Sequence, residues 1–322
     1  MVSHKSVAGE ILKWCRLCTI CMPTRLRFEF DSNGRTYIDL AKEMSKVQRK
    51  LVRQGQNFVI HGGLVQDSNN QYTVRFNTAP QSWVVGTALR RARKMWETQY
   101  QQIMREGGLG KVKPKYWDWK VYLNQGHISA GGASLLEAKD EAGTAYPAGE
   151  WAYSRFASED VDWSAAGVPA PGQNRDADEF FCHIVGDHMG ASPNWTSVGA
   201  IESWRDSRPS VDDNTPEIDV ATRDAIVADP LVNLFDEADA DDERLEHLAS
   251  HNDAPPYDPK VVPGTGATGL ERMAMASSSA ANPIVPFGGF IAPHGLIEVH
   301  STRASAGVVT VLMDVEAVGG IY

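Results

Sequence analysis

The sequence YIDLAKEMSKVQRKLVR, residues 37–53, opens the most strongly patterned stretch of the chain, which extends from Thr36 to Asn124. Its apolar residues recur at helical spacing on one narrow stripe, and its basic residues project from the opposite side: Leu40, Met44, Val47 and Leu51 against Lys42, Lys46, Arg49, Lys50 and Arg53. This pattern predicts an amphipathic helix that ends near Gly55.

Strand and helix signals alternate through the rest of the stretch. Two apolar runs, 58–60 and 72–76, flank the turn-rich sequence QDSNN and predict a β-hairpin. A second helix is predicted over residues 83–105, with Ser82 as its N-cap. We expect it to have one buried face and one basic face: Val85, Leu89, Ala92, Trp96 and Ile103 against Arg90, Arg91, Arg93 and Lys94. The alternating sequence YWDWKVYL at 116–123 predicts a half-buried strand.

Three of these segments carry a family resemblance: KVQRKLVRQGQNF at 46–58, PQSWVVGTALRRARKMWETQ at 80–99 and YWDWKVYLNQGH at 116–127. In this order they resemble the major capsid proteins of small tailless icosahedral bacteriophages with circular single-stranded DNA. The resemblance covers about a quarter of the chain clearly. It implies a mainly β fold built on a jelly-roll barrel, and at this length a double jelly roll, with the helices as insertions between strands.

The resemblance also implies a function. The chain would be a structural coat protein, not an enzyme, without cofactor or metal, made in the host cytoplasm and located in the virion. Its main partner would be itself, as homotrimers or pseudo-hexamers of an icosahedral shell. A penton protein, an inner lipid membrane and the single-stranded genome are the further partners implied.

Strand signals frame this central stretch. RLRFEF at 25–30 alternates as a first strand and is followed by the turn sequence DSNG. Near the other end of the sequence, LIEVH at 296–300 and VVTVLMDV at 308–315 predict a hairpin or a close pair of strands. A strand pair that closes a sheet there is what the resemblance implies.

Residues 7–22, VAGEILKWCRLCTICM, have a helical pattern with a broad apolar face and end at Pro23. Burial under the fold, at a subunit contact or in a membrane interface would each cover that face. We therefore predict an amphipathic arm over residues 1–24 and the coat fold over residues 25–322, with the boundary between two barrels within about 125–210.

Charge divides the chain into two parts, although its net charge is only −10. Residues 1–120 hold 21 Lys and Arg against 9 Asp and Glu, a balance of +12, and the remaining residues hold 10 against 32, a balance of −22. A polyanion or anionic lipid could face the basic part. Two faces of one domain that neutralise each other explain the division equally well.

The candidate genome-facing or membrane-facing residues are basic residues of the arm, the first strand and the second helix, together with one tryptophan: Lys13, Trp14, Arg16, Arg25, Arg27, Arg90, Arg91, Arg93 and Lys94. Several phosphate contacts would make binding strongly salt-dependent. A solvated helix face is the alternative interpretation of such clusters.

Signals for other chemistry are weak. Cys15, Cys18 and Cys21 have a spacing that can bind a metal, but small residues lining an apolar helix face produce the same spacing. The sequence GTGATG at 264–269 matches a dinucleotide-binding pattern but lacks its strand and acidic residue. No serine-nucleophile, Walker or cysteine-protease signature is present.

Targeting signals are absent as well. The sequence shows no convincing secretory signal and no run of about 18–20 apolar residues.

Two other function classes fit the composition. One is a carbohydrate-binding or carbohydrate-active jelly-roll protein, which predicts a monomer with aromatic residues along a groove. The other is a nucleic-acid-binding module with an acidic regulatory half, which predicts salt-sensitive DNA binding by residues 1–120.

Overall fold

The computed structural model describes residues 23–31, 33–67, 71–106, 116–129, 135–159, 177–191, 194–207, 256–257, 262–265, 269–303 and 307–320. The predicted arm, apart from Pro23 and Thr24, lies outside these residues. The chain divides into two compact units, residues 1–205 with 263–322 and residues 206–262. Nearly all of the second unit lies outside the described residues.

The fold is mainly β and its sheets are largely antiparallel, as predicted. The described strands are β1 Thr24–Phe30, β2 Gly34–Asp39, β3 Gln56–Asp67, β4 Tyr72–Thr78, β5 Arg155–Glu159, β6 Ala177–His183, β7 Met189–Ala191, β8 Asn194–Gly199, β9 Glu271–Ser277, β10 Ile284–Phe287, β11 Phe290–Pro293, β12 Leu296–Arg303 and β13 Val309–Gly320. The described helices are α1 Leu40–Gln48, α2 Trp83–Glu106, α3 Gln125–Ser129 and α4 Ala200–Asp206.

The strands form three sheets. Sheet A has the order β1-β13-β3-β10, and β11 also pairs with β3. Sheet B has the order β2-β12-β4-β9, and every strand pair in sheets A and B is antiparallel. Sheet C has the order β5-β6-β8-β7 and includes the parallel pair β6–β8. The described strands do not close a barrel.

Sheets A and B share one hydrophobic core. Alternate residues of β1 and β13 point into it, because side chains alternate between the two faces of a strand: Leu26, Phe28, Phe30, Val309, Val311, Met313 and Val315. Phe76 of β4 reaches across from sheet B, with its ring centroid 4.6 Å from that of Phe287 and 6.0 Å from that of Phe290. The two sheets are therefore packed against each other.

The β-hairpin predicted over residues 58–76 is wrong, because β3 and β4 belong to different sheets. The C-terminal strands β12 and β13 also belong to different sheets, so they do not form a hairpin. β3 pairs instead with β13, β10 and β11, and β4 pairs with β12 and β9. In both cases, strands that are adjacent in the sequence lie in opposite sheets.

Helix α1 is shorter than the pattern predicts. Tyr37 and Ile38 pair with β12, so the strand continues to Asp39, whose Oδ1 accepts a hydrogen bond from the backbone N of Lys42 at 3.1 Å and caps the helix. The helix ends at Arg49, which adopts a left-handed conformation (φ 53°), several residues before Gly55. Sheet pairing at one end and a local left-handed turn at the other have overridden the helical pattern.

Helix α2 matches its prediction more closely. Ser82 Oγ accepts a hydrogen bond from the backbone N of Val85 at 3.4 Å, and Val85, Leu89 and Trp96 are buried. Ile103, predicted for the same face, is 58% exposed.

Residues 116–123 do not form the predicted regular strand. Trp119, Val121 and Leu123 are buried, and so is Lys120 between them. The backbone N of Val121 donates to Gln54 Oε1 at 2.6 Å and that of Lys120 to Ser154 Oγ at 2.9 Å. Side-chain acceptors therefore replace a neighbouring strand at these two residues, whereas the backbone of Tyr122 bonds residues 182 and 184 at 3.0 and 2.9 Å.

The segment 135–146 runs along one side of the two-sheet core. The backbone N of Leu136 donates to Tyr37 O of β2 and that of Lys139 to Arg27 O of β1, both at 2.8 Å. Between them, the backbone N of Ala138 donates to Glu43 Oε2 at 2.7 Å. The edge strands β1 and β2 therefore have hydrogen-bond partners on this side, which protects them from pairing with another chain.

Replacing Phe76 by alanine should lower the free energy of unfolding by about 3–5 kcal/mol, because it leaves a cavity between the two sheets. Urea denaturation followed by tryptophan fluorescence measures the effect. Met95→Ala is the control, since Met95 is 54% exposed and its loss should change stability by less than about 0.5 kcal/mol. A loss below about 1 kcal/mol for Phe76→Ala would contradict a shared core at this point.

Candidate functional site

Helix α2 carries three of the predicted basic residues on one exposed face. Arg90, Arg91 and Lys94 are exposed and neighbour one another at positions i, i+1 and i+4. Arg90 Nη2 donates to Thr87 Oγ1 at 3.2 Å. A groove of 680 Å³ follows this face, here called the basic helix face, and is lined by Thr87, Arg90, Arg91, Lys94, Met95, Thr98 and Gln99.

Arg93, the fourth predicted residue of α2, is half-buried. Its Nε donates to Glu97 Oε1 at 2.8 Å, an ion pair between residues one helical turn apart. Arg93 is therefore drawn toward Glu97, while the other three line the groove.

Aromatic rings stack beside the C-terminal half of α2. Trp96 stacks on Tyr100 with ring centroids at 5.8 Å and on Trp117 at 5.7 Å, and Tyr100 and Trp117 stack on each other at 5.4 Å. Trp117 is 41% exposed and the neighbouring Tyr116 is 64% exposed. The rings of Trp96 and Tyr100 lie on the side of α2 opposite Arg90, Arg91 and Lys94, so the aromatic stack and the basic helix face are separate surfaces.

The structure gives Arg25 and Arg27 of β1 different surroundings. Arg25 forms two hydrogen bonds of 2.8 Å with the carboxylate of Asp314, which lowers the pKa of that carboxyl group. Arg27 pairs with Glu29 and donates to the carbonyl oxygens of Asp140 and Glu141 at 3.2 and 2.9 Å. Both arginines bind groups of their own chain, and Arg27 holds the segment 135–146 against β1. Lys13, Trp14 and Arg16 lie outside the described residues.

A buried carboxylate that the sequence pattern did not reveal lies at the junction of β2 and α1. Besides capping the helix, Asp39 accepts hydrogen bonds at Oδ2 from Trp151 Nε1 at 3.0 Å, Tyr153 Oη at 3.1 Å and Gln54 Nε2 at 3.3 Å. Burial raises the pKa of Asp39 to about 6. The sequence analysis did not single out Asp39, and the three donors to Oδ2 are 15, 112 and 114 residues away.

A second buried carboxylate, Glu298 of β12, lies near the same junction. It accepts hydrogen bonds from Tyr37 Oη and Asn77 Nδ2 at 3.1 Å and from Asn124 Nδ2 at 3.3 Å. Burial, and then the charge of Glu298, raise the pKa of Tyr37. These contacts join β2, β4 and β12 to the turn before α3, so their role is to hold elements together.

Three of the histidines that the structure describes are buried, and burial lowers the pKa of each: His127 to about 3, His183 to about 4 and His294 to about 3. His127 Nδ1 accepts from the backbone N of Leu123 at 3.2 Å, and its ring stacks on Tyr37 at 5.1 Å. His183 bonds Ser197 Oγ at 2.7 Å and the carbonyl oxygen of Asp187 at 2.9 Å. These histidines are structural and neutral at pH 7.

The described residues contain no group of three or more His, Cys, Asp or Glu side chains that could hold a metal ion. Cys182 is buried, and burial raises the pKa of its thiol to about 12. Cys15, Cys18 and Cys21, and the histidine pair His247 and His251, lie outside the part that the structure describes. No helix in that part is both long enough and apolar enough to cross a membrane.

Comparison with protein families, curated proteins and solved structures gives no match for this chain in any of the three.

The buried groups predict how stability depends on pH. The histidines have lower pKa values in the fold than in the unfolded chain, so their contribution is present above about pH 6.5 and is lost as the pH falls. Asp39 has a raised pKa in the fold, so its contribution has the opposite sign: it is lost as the pH rises through about 6 and regained by about pH 4. The shift of Asp39 corresponds to about 3 kcal/mol.

The free energy of unfolding should therefore fall between about pH 6.5 and about pH 4, and it should fall more steeply in Asp39→Asn, which removes the opposing contribution. Urea titrations at several pH values measure both profiles. Glu271→Gln is the control, because the side chain of Glu271 is exposed and it has no contact with Asp39 or with the three buried histidines in the described interactions. Parallel profiles for Asp39→Asn and the unaltered chain would show that Asp39 does not take up a proton in this range.

Proposed function

We propose that the chain is the coat protein of an icosahedral virus, and that its core is a single jelly roll with a long insertion. The strand order of sheets A and B carries the proposal. Strand order alone does not distinguish a coat protein, since jelly rolls also occur in lectins and cupins. The family resemblance of residues 46–58, 80–99 and 116–127 is what favours a coat protein among them.

The strand order can be compared with a jelly roll by counting β10 and β11, which both pair with β3, as one strand. The eight strands of sheets A and B then have the orders 1-8-3-6 and 2-7-4-5. Successive strands along the chain therefore alternate between the two sheets except at 4-5, and all strand pairs are antiparallel. Eight antiparallel strands in two packed sheets are the pattern of a jelly roll, which consists of two Greek keys. The shared core between the sheets supports the same conclusion.

One barrel fits the described strands better than the two that the length implied. Everything between β4 and β9, residues 79–270, is a single insertion that contains α2, α3, α4 and sheet C. Sheet C has four strands and a parallel pair, whereas a second jelly roll requires two further antiparallel sheets. In this proposal the extra length forms the loops through which neighbouring subunits meet.

Copies of the chain would form homotrimers or pseudo-hexamers, with a penton protein at other positions of the shell. Exposed apolar side chains are available for such contacts on α2 and on the strands: Trp83, Met95, Ile103, Leu64, Met275, Ile284, Ile291 and Val318. Obligate subunit contacts are large and apolar. Location in the virion, with lipid or the genome on its inner side, follows from the proposal.

The basic helix face would contact the single-stranded genome. Arg90, Arg91 and Lys94 supply charge for phosphates. Arg25 and Arg27 are less suited to this role, because they bind Asp314, Glu29 and carbonyl oxygens of their own chain.

Carbohydrate binding is the second candidate, and the exposed rings of Tyr116 and Trp117 are the observation that favours it. Aromatic faces stack on sugars as readily as on bases. The candidates differ in oligomeric state, since a carbohydrate-binding protein of this kind is expected to be a monomer.

Light scattering of the purified chain at moderate and high salt, followed by negative-stain microscopy, should detect trimers, hexamers or closed particles. Assembly is expected because the shell depends on contacts between identical subunits. A monomer at every concentration and salt would contradict the coat-protein proposal, and glycan binding would then be measured.

Replacing Arg91 and Lys94 together by glutamine should weaken binding to a short oligothymidine, measured by fluorescence anisotropy over a salt series. Loss of two phosphate contacts should lower the slope of log affinity against log salt by about 1.4. The double variant Arg49→Gln, Lys50→Gln is the matched control, because both residues are exposed and the charge change is the same. Equal losses in the two variants would show that net charge, and not the basic helix face, governs binding.

A further inference from the structure

Three basic side chains lie in one row across three neighbouring strands of sheet B. His300 of β12 is directly opposite Arg35 of β2 on one side and Arg75 of β4 on the other. Residues directly opposite each other in antiparallel strands project from the same face of the sheet, so these side chains are neighbours. Two strand spacings separate Arg35 from Arg75, roughly 10 Å between their Cα atoms. The three residues are here called the basic row.

The basic row lies on the face of sheet B that points away from the two-sheet core. Phe76 and Val299, the sequence neighbours of Arg75 and His300, are fully buried in that core. Because side chains alternate between the two faces of a strand, Arg75 and His300 point outward. Both are half-buried, and the side chain of Arg35 is 58% exposed. A ligand can therefore reach the row from solvent.

Arg75 has no partner for its charge within the described part of the chain. Its guanidinium group forms no hydrogen bond and no ion pair there, and its Nε atom is shielded from solvent without an acceptor. His300 likewise has no hydrogen-bond partner among the described residues. A shielded donor without an acceptor is costly, and neighbouring like charges repel each other. An anion bound over the row would relieve both costs.

One carboxylate, that of Glu298, lies beside the row. Glu298 precedes His300 by two residues in β12, and its Oε1 is 4.0 Å from Arg35 Nε. Glu298 is buried, and its two oxygens already accept hydrogen bonds from side chains of β2, β4 and the turn before α3. An ion pair of this length with an exposed arginine contributes little. Glu298 therefore offsets part of the charge of Arg35, and among the described residues it leaves Arg75 without an acidic partner.

The donors of the basic row fit a phosphate group. Guanidinium groups donate in a planar fork that matches phosphate oxygens. A phosphomonoester carries a charge of about −1.5 to −2 and three acceptor oxygens, so one such group can accept from both arginines and from the imidazole between them. Thr302, two residues after His300 in the same strand, is exposed and adds a hydroxyl donor. A carboxylate has only two oxygens to share among groups from three strands.

We propose that the basic row binds a phosphomonoester group, with Arg35 and Arg75 donating to its oxygens from either side and His300 beneath it. The row and the basic helix face consist of different residues on different elements. This site does not rest on the proposed coat function. Inorganic phosphate and the phosphate ester of a small molecule such as a nucleotide share the chemistry that the row recognises.

Isothermal titration calorimetry of the full-length protein tests the proposal with three probes: inorganic phosphate, thymidine 5′-monophosphate and thymidine. We expect the monophosphate to bind and thymidine not to bind. Equal affinity for inorganic phosphate would show that the phosphate group alone is recognised. Tighter binding of the monophosphate would show that the site takes an ester.

The variant Arg75→Gln should weaken binding of the monophosphate roughly ten-fold or more, because it removes hydrogen bonds to a charged group. Arg35→Gln should have a similar effect. Arg75→Lys should give an intermediate affinity, since lysine keeps the charge but lacks the planar fork. The control Arg105→Gln makes the same change of charge at an exposed position of α2 and should leave the affinity unchanged.

Three results would overturn the proposal. The first is no binding of either phosphate probe to the unaltered chain, and the second is equal binding of thymidine. The third is an affinity that Arg75→Gln and Arg35→Gln change no more than Arg105→Gln does, which would place the binding elsewhere. If circular dichroism shows that Arg75→Gln does not fold, Arg35→Gln decides the test, because its side chain is exposed. A monomer can bind these probes, so failure of the coat-protein proposal would not affect this test.

Discussion

The hydrogen bonds of the buried Asp39 carboxylate join the two-sheet core to residues 151–153. A buried carboxylate is costly unless donors surround it, and here the donors come from α1, from Gln54 and from Trp151 and Tyr153 of the insertion. The same residue ends β2, begins α1 and holds residues 151–153 in place. The backbone of Ala138, bonded to Glu43, fastens the insertion to the same helix a turn later. Residues 136–139 and 151–153 are therefore bonded directly to the elements of the two-sheet core.

Local sequence patterns predicted where strands and helices occur better than they predicted which strands pair with each other. The strands β1, β4, β12 and β13 and the buried face of α2 follow from alternation and helical spacing. The pairing of β1 with β13 does not, because it joins Arg25 to Asp314 across 289 residues. A turn sequence shows that the chain reverses direction, but it does not show whether the next strand joins the same sheet or the opposite one. That choice depends on which faces have to be buried together.

The candidate site was predictable only in part, because some of its contacts join segments that are far apart in the sequence. The basic residues of α2 follow from helical spacing, and three of the four line one groove. The stack of Trp96, Tyr100 and Trp117 requires two segments to meet, and the donors around Asp39 come from residues up to 114 positions away. Helical spacing also placed Ile103 on the buried face, although its side chain is 58% exposed. The surroundings of α2 and of Asp39 therefore depend on an arrangement that long-range packing produces.

The long-range pairing of β1 with β13 affects the order in which the chain can fold during synthesis. Contacts between residues far apart in sequence form slowly, because a long loop must close before they stabilise the chain. During synthesis, β1 emerges early but lacks its neighbour in sheet A until β13 has been made. The bound segment 135–146 occupies its other side, so the early strand has a temporary partner available before the sheet is complete. An incomplete chain thus cannot present a finished sheet A, and both faces of that sheet are complete only after β13 is in place.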